Sequence, residues 1–90
     1  MRIDKFLKIS RIIKRRSVAK ELADNDRIYI NNKLAKASSL IKVSDRVNII
    51  FGNRNFSFII KELREYCKKE EAFNLYEIIN EENYEEKKAE

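Results

Sequence analysis

Eight cations fall within the first twenty residues, Arg2, Lys5, Lys8, Arg11, Lys14, Arg15, Arg16 and Lys20, against one anion, Asp4. Between them sits a complete apolar set, Ile3, Phe6, Leu7, Ile12, Ile13, Val18, Ala19, Leu22 and Ala23. Such interleaving lets two short helices bury one side and present cations on the other. Seven excess positive charges in so short a stretch repel one another and destabilise the fold unless a polyanion meets them. The remainder is not basic: residues 21–60 carry a net charge of +2 and residues 61–90 a net charge of −4.

The spacing of Ile3, Phe6 and Leu7 predicts a first helix over residues 4–10, with Asp4 capping it or lying in its first turn. The step from Ile13 to Val18 breaks helical phase and places a turn over residues 11–16. A second helix then begins at Arg16 or Ser17, with Ser17 as candidate cap, and stops at Asp24-Asn25-Asp26. On this reading Lys5 and Lys8 share one face of the first helix, and Arg16 and Lys20 share one face of the second. Strands are predicted at residues 27–30, 46–51 and 55–60, with turns at Asn31-Asn32, Ser44-Asp45 and Gly52-Asn53 and a loop over residues 33–40. Ala72, Leu75, Tyr76 and Ile79 predict a late helix over residues 71–79, followed by a frayed charged tail.

Ninety residues hold one domain and little more, because a chain near this size buries only about 60 to 65% of the surface its unfolded form exposes. Apolar residues at 43% and charged residues at 39% give one core beneath a densely charged surface. A deep catalytic pocket is not expected. The chain has no histidine and a single cysteine, Cys67, so an internal disulfide and a Cys/His metal site are excluded. Its single glycine, Gly52, rules out a glycine-rich phosphate loop. Adjacent acids such as Glu70-Glu71 and Glu81-Glu82 diverge on a helix and read as solvated charge. We therefore expect a protein that is not an enzyme and carries no cofactor. No apolar run reaches the ~18 residues needed to span a bilayer, and no apolar signal core follows Met1-Arg2-Ile3-Asp4-Lys5, so a cytoplasmic, non-membrane protein is expected. Tyr29, Phe51, Phe56 and Phe58 alternate in the strands and are expected to pack the core more than to stack on bases.

Particular stretches carry a family resemblance: Met1-Arg2-Ile3-Asp4-Lys5-Phe6-Leu7, Ser10-Arg11, Lys14-Arg15-Arg16-Ser17, Ala19-Lys20, Arg27-Ile28-Tyr29-Ile30-Asn31 and Lys36-Ala37-Ser38. Over roughly residues 1–60 the chain resembles the RNA-binding domain named for small-subunit ribosomal protein S-four. The resemblance implies an α+β fold in which two N-terminal helices, a helix-turn-helix, pack on a small antiparallel sheet, with a C-terminal helix added. The expected division is residues 1–63 for this domain and 64–90 for the C-terminal helix and acidic tail.

Lys68-Lys69-Glu70-Glu71-Ala72 and Asn74-Leu75-Tyr76 extend the likeness to free-standing ribosome-quality-control members of that family. This likeness implies a factor that binds large ribosomal subunits still carrying peptidyl-tRNA, touches 23S rRNA and the tRNA, and is a monomer off the ribosome. It further implies support for mRNA-independent alanine tailing of the trapped chain, with a larger partner delivering alanyl-tRNA.

By position, Arg2 and Arg16 are then the principal rRNA phosphate contacts and Lys14, Arg15 and Lys20 support them. Asp4 orients the first helix, and Lys5, Lys8, Arg11 and Lys36 complete the RNA-binding set. The family carries glycine where this chain has Asn32-Lys33 and Ser44-Asp45, and near Asn25-Asp26; asparagine and aspartate are the next-best occupants of such turns. The nearest rival keeps the domain but assigns it the role of heat-shock protein fifteen, recycling freed subunits without tailing. A detached module of an RNA-modifying enzyme and a DNA-binding helix-turn-helix are weaker readings, the second because its recognition helix is short.

Overall fold

The computed structural model describes residues 1–83. Two helices, α1 (Ile3–Ile9) and α2 (Arg16–Asp24), precede strands β1 (Ile28–Ile30), β2 (Lys33–Leu34), β3 (Arg46–Phe51) and β4 (Arg54–Ile60). A 3-10 helix (Lys69–Leu75) and strand β5 (Tyr76–Asn83) follow. The strands form one antiparallel sheet in the order β2-β1-β3-β4-β5. The predicted α+β arrangement of two N-terminal helices on a small antiparallel sheet is therefore present.

Both helices lie on one face of that sheet. Cross-strand partners share a face, so Val47 opposite Phe58 and Ile49 opposite Phe56 present one apolar surface. Ile3, Phe6 and Leu7 of α1 and Ala19 and Ala23 of α2 are buried in the same core. Phe6 and Phe58 stack with ring centroids 6.2 Å apart. Each such large side chain contributes about 1.5 to 3 kcal/mol on burial. Leu75, Ala72 and Cys67 complete the core from the C-terminal side. Arg64 ties this part down by donating to Glu62 at 3.0 Å and to Glu71 at 3.3 Å, and the two carboxylates raise its pKa.

The turns explain where glycine is missed and where it is replaced. Asn31 and Asn32 have φ of 52° and 67°, the left-handed pair a two-residue hairpin requires. Asn31 does more than tolerate that geometry: its Nδ2 donates to buried Asp45 at 3.1 Å and its Oδ1 accepts from the Arg46 N–H at 3.0 Å. Asp26 (φ 60°) and Ser44 (φ 79°) hold left-handed backbone at the other two family glycine turns. The turns thus keep glycine-type geometry with side chains in place.

Several predicted details need correction. Ser17 is not the cap of α2; Arg15 holds that position, without a side-chain hydrogen bond, and Ser17 lies inside the helix. The predicted loop over residues 33–40 begins with the short strand β2. The C-terminal helix is a 3-10 helix ending at Leu75, and Tyr76 and Ile79, expected within it, belong to β5. Of the expected frayed tail, residues 80–83 are strand paired to β4, whereas residues 84–90 lie outside the described part. The pattern Ala72, Leu75, Tyr76, Ile79 satisfies a helical period, but Tyr76 and Ile78 satisfy a strand period equally, and the bonding edge of β4 decides between them.

Candidate nucleic-acid interface

Met1, Arg2 and the first two residues of α1 are held by backbone hydrogen bonds against residues 37–41. Ile41 N–H donates to the Met1 carbonyl (2.9 Å), Ile3 N–H to Ser39 (2.8 Å) and Asp4 N–H to Ala37 (3.2 Å), and Arg2 bridges to Leu40. This docking brings Arg2 beside the Lys36-Ala37-Ser38 segment, 34 residues away in sequence.

Asp4 joins the two helices. It is buried, with a side chain only 7% exposed, and its Oδ1 accepts the Lys5 N–H at 2.8 Å in the first turn of α1. The same oxygen accepts from Arg16 at 3.1 Å, and Oδ2 accepts from Arg2 at 3.2 Å. Arg2 and Arg16 remain half exposed, at 50% and 43%. One buried carboxylate therefore fixes two guanidinium groups while leaving each with further N–H donors toward solvent. Buried charge is tolerated here because it is paired and hydrogen-bonded.

A shallow groove runs from this clamp between α2 and the segment after β2. Arg2, Lys20 and Lys36 line it together with the small side chains Ala23, Ala35 and Ala37, which let the surface dip. Asp24 and Asp26 line it as well, and Lys20 makes a long 3.6 Å contact with Asp24 at an exposed site where such pairs contribute little.

Of the ten residues singled out from the sequence, the structure gathers Arg2, Asp4, Arg16, Lys20 and Lys36 into one surface. Lys14 and Arg15 are exposed in the turn leading into Arg16. Lys5 turns away to pair with Glu65, whose carboxyl it holds below the usual glutamate range. Lys8 is exposed near the end of α1. Arg11 lines a separate groove with Ile12, Phe51, Arg54, Phe56 and Tyr76. The expectation for the aromatics holds for Phe58, which is fully buried; Phe51 and Phe56 are only half covered. Sequence reasoning missed that Arg54, Phe56 and Tyr76 line one groove with Arg11, a grouping that only the tertiary fold creates.

Among the described residues no cluster of three or more His, Cys, Asp or Glu side chains is placed to hold a metal, and no helix is long and apolar enough to cross a membrane. Cys67 is buried, with its thiol 3.3 Å from the Lys68 carbonyl.

Comparison with known proteins places this geometry. Residues 1–47 match the S4 domain. The RQC P-site tRNA stabilizing factor of Streptococcus pneumoniae is 54% identical over 86 residues, spanning 96% of this chain and 98% of the relative. The protein of the same description from Bacillus subtilis is 52% identical over 82 residues, spanning 91% and 95%. Among solved structures, trimeric heat shock protein 15 of Vibrio cholerae superimposes with a TM-score of 0.80 at 25% identity, covering 88% of this chain and 81% of that one. The chain is an S4-domain protein and belongs to the family of the RQC P-site tRNA stabilizing factors.

Proposed function

We propose that this protein is a non-enzymatic RNA-binding factor of ribosome quality control, which binds large ribosomal subunits that retain peptidyl-tRNA and contacts both 23S rRNA and the tRNA. The observation that carries the reading is the pair Arg2 and Arg16, clamped by buried Asp4 at the head of a groove with Lys20 and Lys36. Guanidinium groups fixed in orientation grip phosphate through paired N–H donors, and structured RNA is selected largely by shape. Relatives covered over nearly their whole length, and described as stabilizing P-site tRNA, support assigning that RNA to the ribosome.

The finer reading follows from the same relatives. The factor supports mRNA-independent alanine tailing of the nascent chain, together with a larger protein that delivers alanyl-tRNA, in the cytoplasm and on the ribosome. Phosphate contacts from Arg2, Arg16, Lys20 and Lys36, with Lys14 and Arg15 behind them, predict that log affinity for ribosomal RNA falls against log salt with a slope of about −3 to −4. A slope near zero would refute the phosphate-contact assignment.

The second reading is recycling of freed subunits without tailing, favoured by the close superposition on heat shock protein 15. Cells lacking the protein decide between the two. Loss of alanine tails on stalled chains supports the first reading, and tails at wild-type level leave only the second.

A further inference from the structure

The groove beside Arg11 shares no residue with the one headed by Arg2. Strand register builds its floor: Phe51 lies opposite Arg54 and Ile49 opposite Phe56, so these side chains leave the sheet on the face that carries buried Val47 and Phe58. Because α1 ends at Ile9, the last rungs of that face extend past the helix. Phe51, Phe56 and Tyr76 stay half covered there, with Phe56 and Tyr76 each 5.6 Å from the Phe58 ring. Covered but not sealed, they form an aromatic floor fixed by the core beneath it.

Arg11 stands at the rim. Its backbone has φ 63°, a left-handed conformation that costs energy for any residue with a Cβ and that commonly marks a functional turn. Among residues 1–80, whose side chains are described, none that lines the groove is acidic. At about 270 Å³ the groove is slightly smaller than a usual small-molecule cleft. It therefore suits one planar ring system and not a peptide segment. An apolar partner would strip water from the guanidinium without replacing its hydrogen bonds, and an acidic one would leave the rings idle. A nucleotide satisfies both, because its base has a π-face and its phosphate accepts from arginine.

We propose that this groove receives a single unstacked nucleotide of the bound RNA, its base on Phe51, Phe56 and Tyr76 and its phosphate on Arg11. The proposal rests on the RNA-binding reading and adds to it a preference for RNA with a bulged or looped-out base. The direct test uses the full chain with two stem RNAs, one fully paired and one carrying a single bulged 2-aminopurine. Stacking on a protein aromatic makes the bulged RNA bind between roughly fivefold and a hundredfold more tightly and quenches the 2-aminopurine emission.

Phe56→Leu and Arg11→Gly each lower the affinity ratio severalfold, since they remove one ring of the stacking surface and the cation. Glycine suits the left-handed backbone at position 11, so that variant keeps the fold, and a melting curve checks both variants. Equal wild-type affinity for the two RNAs, or a ratio unchanged in folded variants, overturns the proposal while binding of the paired stem leaves the Arg2 groove standing. Failure of the wild-type protein to bind either RNA overturns both readings.

Discussion

Replacing Asp4 separates a positioning role from simple charge. In Asp4→Ala the Lys5 N–H loses its acceptor in the first helical turn, a loss of about 1 kcal/mol for one hydrogen bond. Two charge-assisted bonds go as well, to Arg2 at 3.2 Å and Arg16 at 3.1 Å. Both guanidinium groups are half exposed and recover water, so each pair is discounted to about 0.5 to 1 kcal/mol. The expected destabilisation is about 2 to 3 kcal/mol, or roughly 10 to 20 °C in melting temperature for a domain of this size.

Asp4→Asn keeps an acceptor for the Lys5 N–H and loses mainly the ion pairs, so it should cost about half as much. Urea unfolding reads both, with an unchanged m-value confirming that native compactness is intact. The binding measurement is sharper. On charge alone, removing an anion beside an RNA-binding surface strengthens binding. If Asp4 holds Arg2 and Arg16 in place, Asp4→Asn weakens it several-fold instead, through lost preorganisation. Tighter RNA binding by folded Asp4→Asn, or an Asp4→Ala protein within about 0.5 kcal/mol of wild type, would refute the clamp.

Arg16→Ala should lower the salt slope of RNA binding by about 1 and leave stability within roughly 1 kcal/mol, since Arg2 still holds Asp4; equilibrium binding at several salt concentrations and a melt test the two halves. Phe6→Ala opens a cavity beneath Phe58 and should cost about 3 to 5 kcal/mol by urea unfolding, an effect that a surface position would not produce. Ser44→Gly relieves a φ of 79° at an exposed side chain and should stabilise by roughly 0.5 to 1 kcal/mol; a lower melting temperature would refute the claim that this backbone is strained.

The helical half of the fold was the more legible. Ile3, Phe6, Leu7, Ala19 and Ala23 repeat with helical spacing and are buried as that spacing requires, and Val47, Ile49, Phe58 and Ile60 alternate into the core from the sheet. The C-terminal part was less legible because Tyr76 fits two periods at once, and only pairing with β4 selects the strand. The cations were visible as a cluster, but their grouping was not. Lys5 reads as part of an exposed face until Glu65, sixty residues away, is seen beside it. Arg2 and Lys36 read as unrelated until the backbone bonds of residues 1–4 to residues 37–41 bring them together. That Asp4 holds Arg16 across twelve residues likewise depends on the angle between α1 and α2, which no local pattern encodes.

The most direct test of the central claim is co-sedimentation of the tagged protein with ribosomal particles, wild type against an Arg2→Ala, Arg16→Ala double variant, with sequencing of the bound RNA. Enrichment of wild type on large subunits carrying peptidyl-tRNA, lost in a double variant that still folds, is the predicted result. Wild-type protein migrating free of ribosomes, or a double variant that sediments as wild type does, would contradict it.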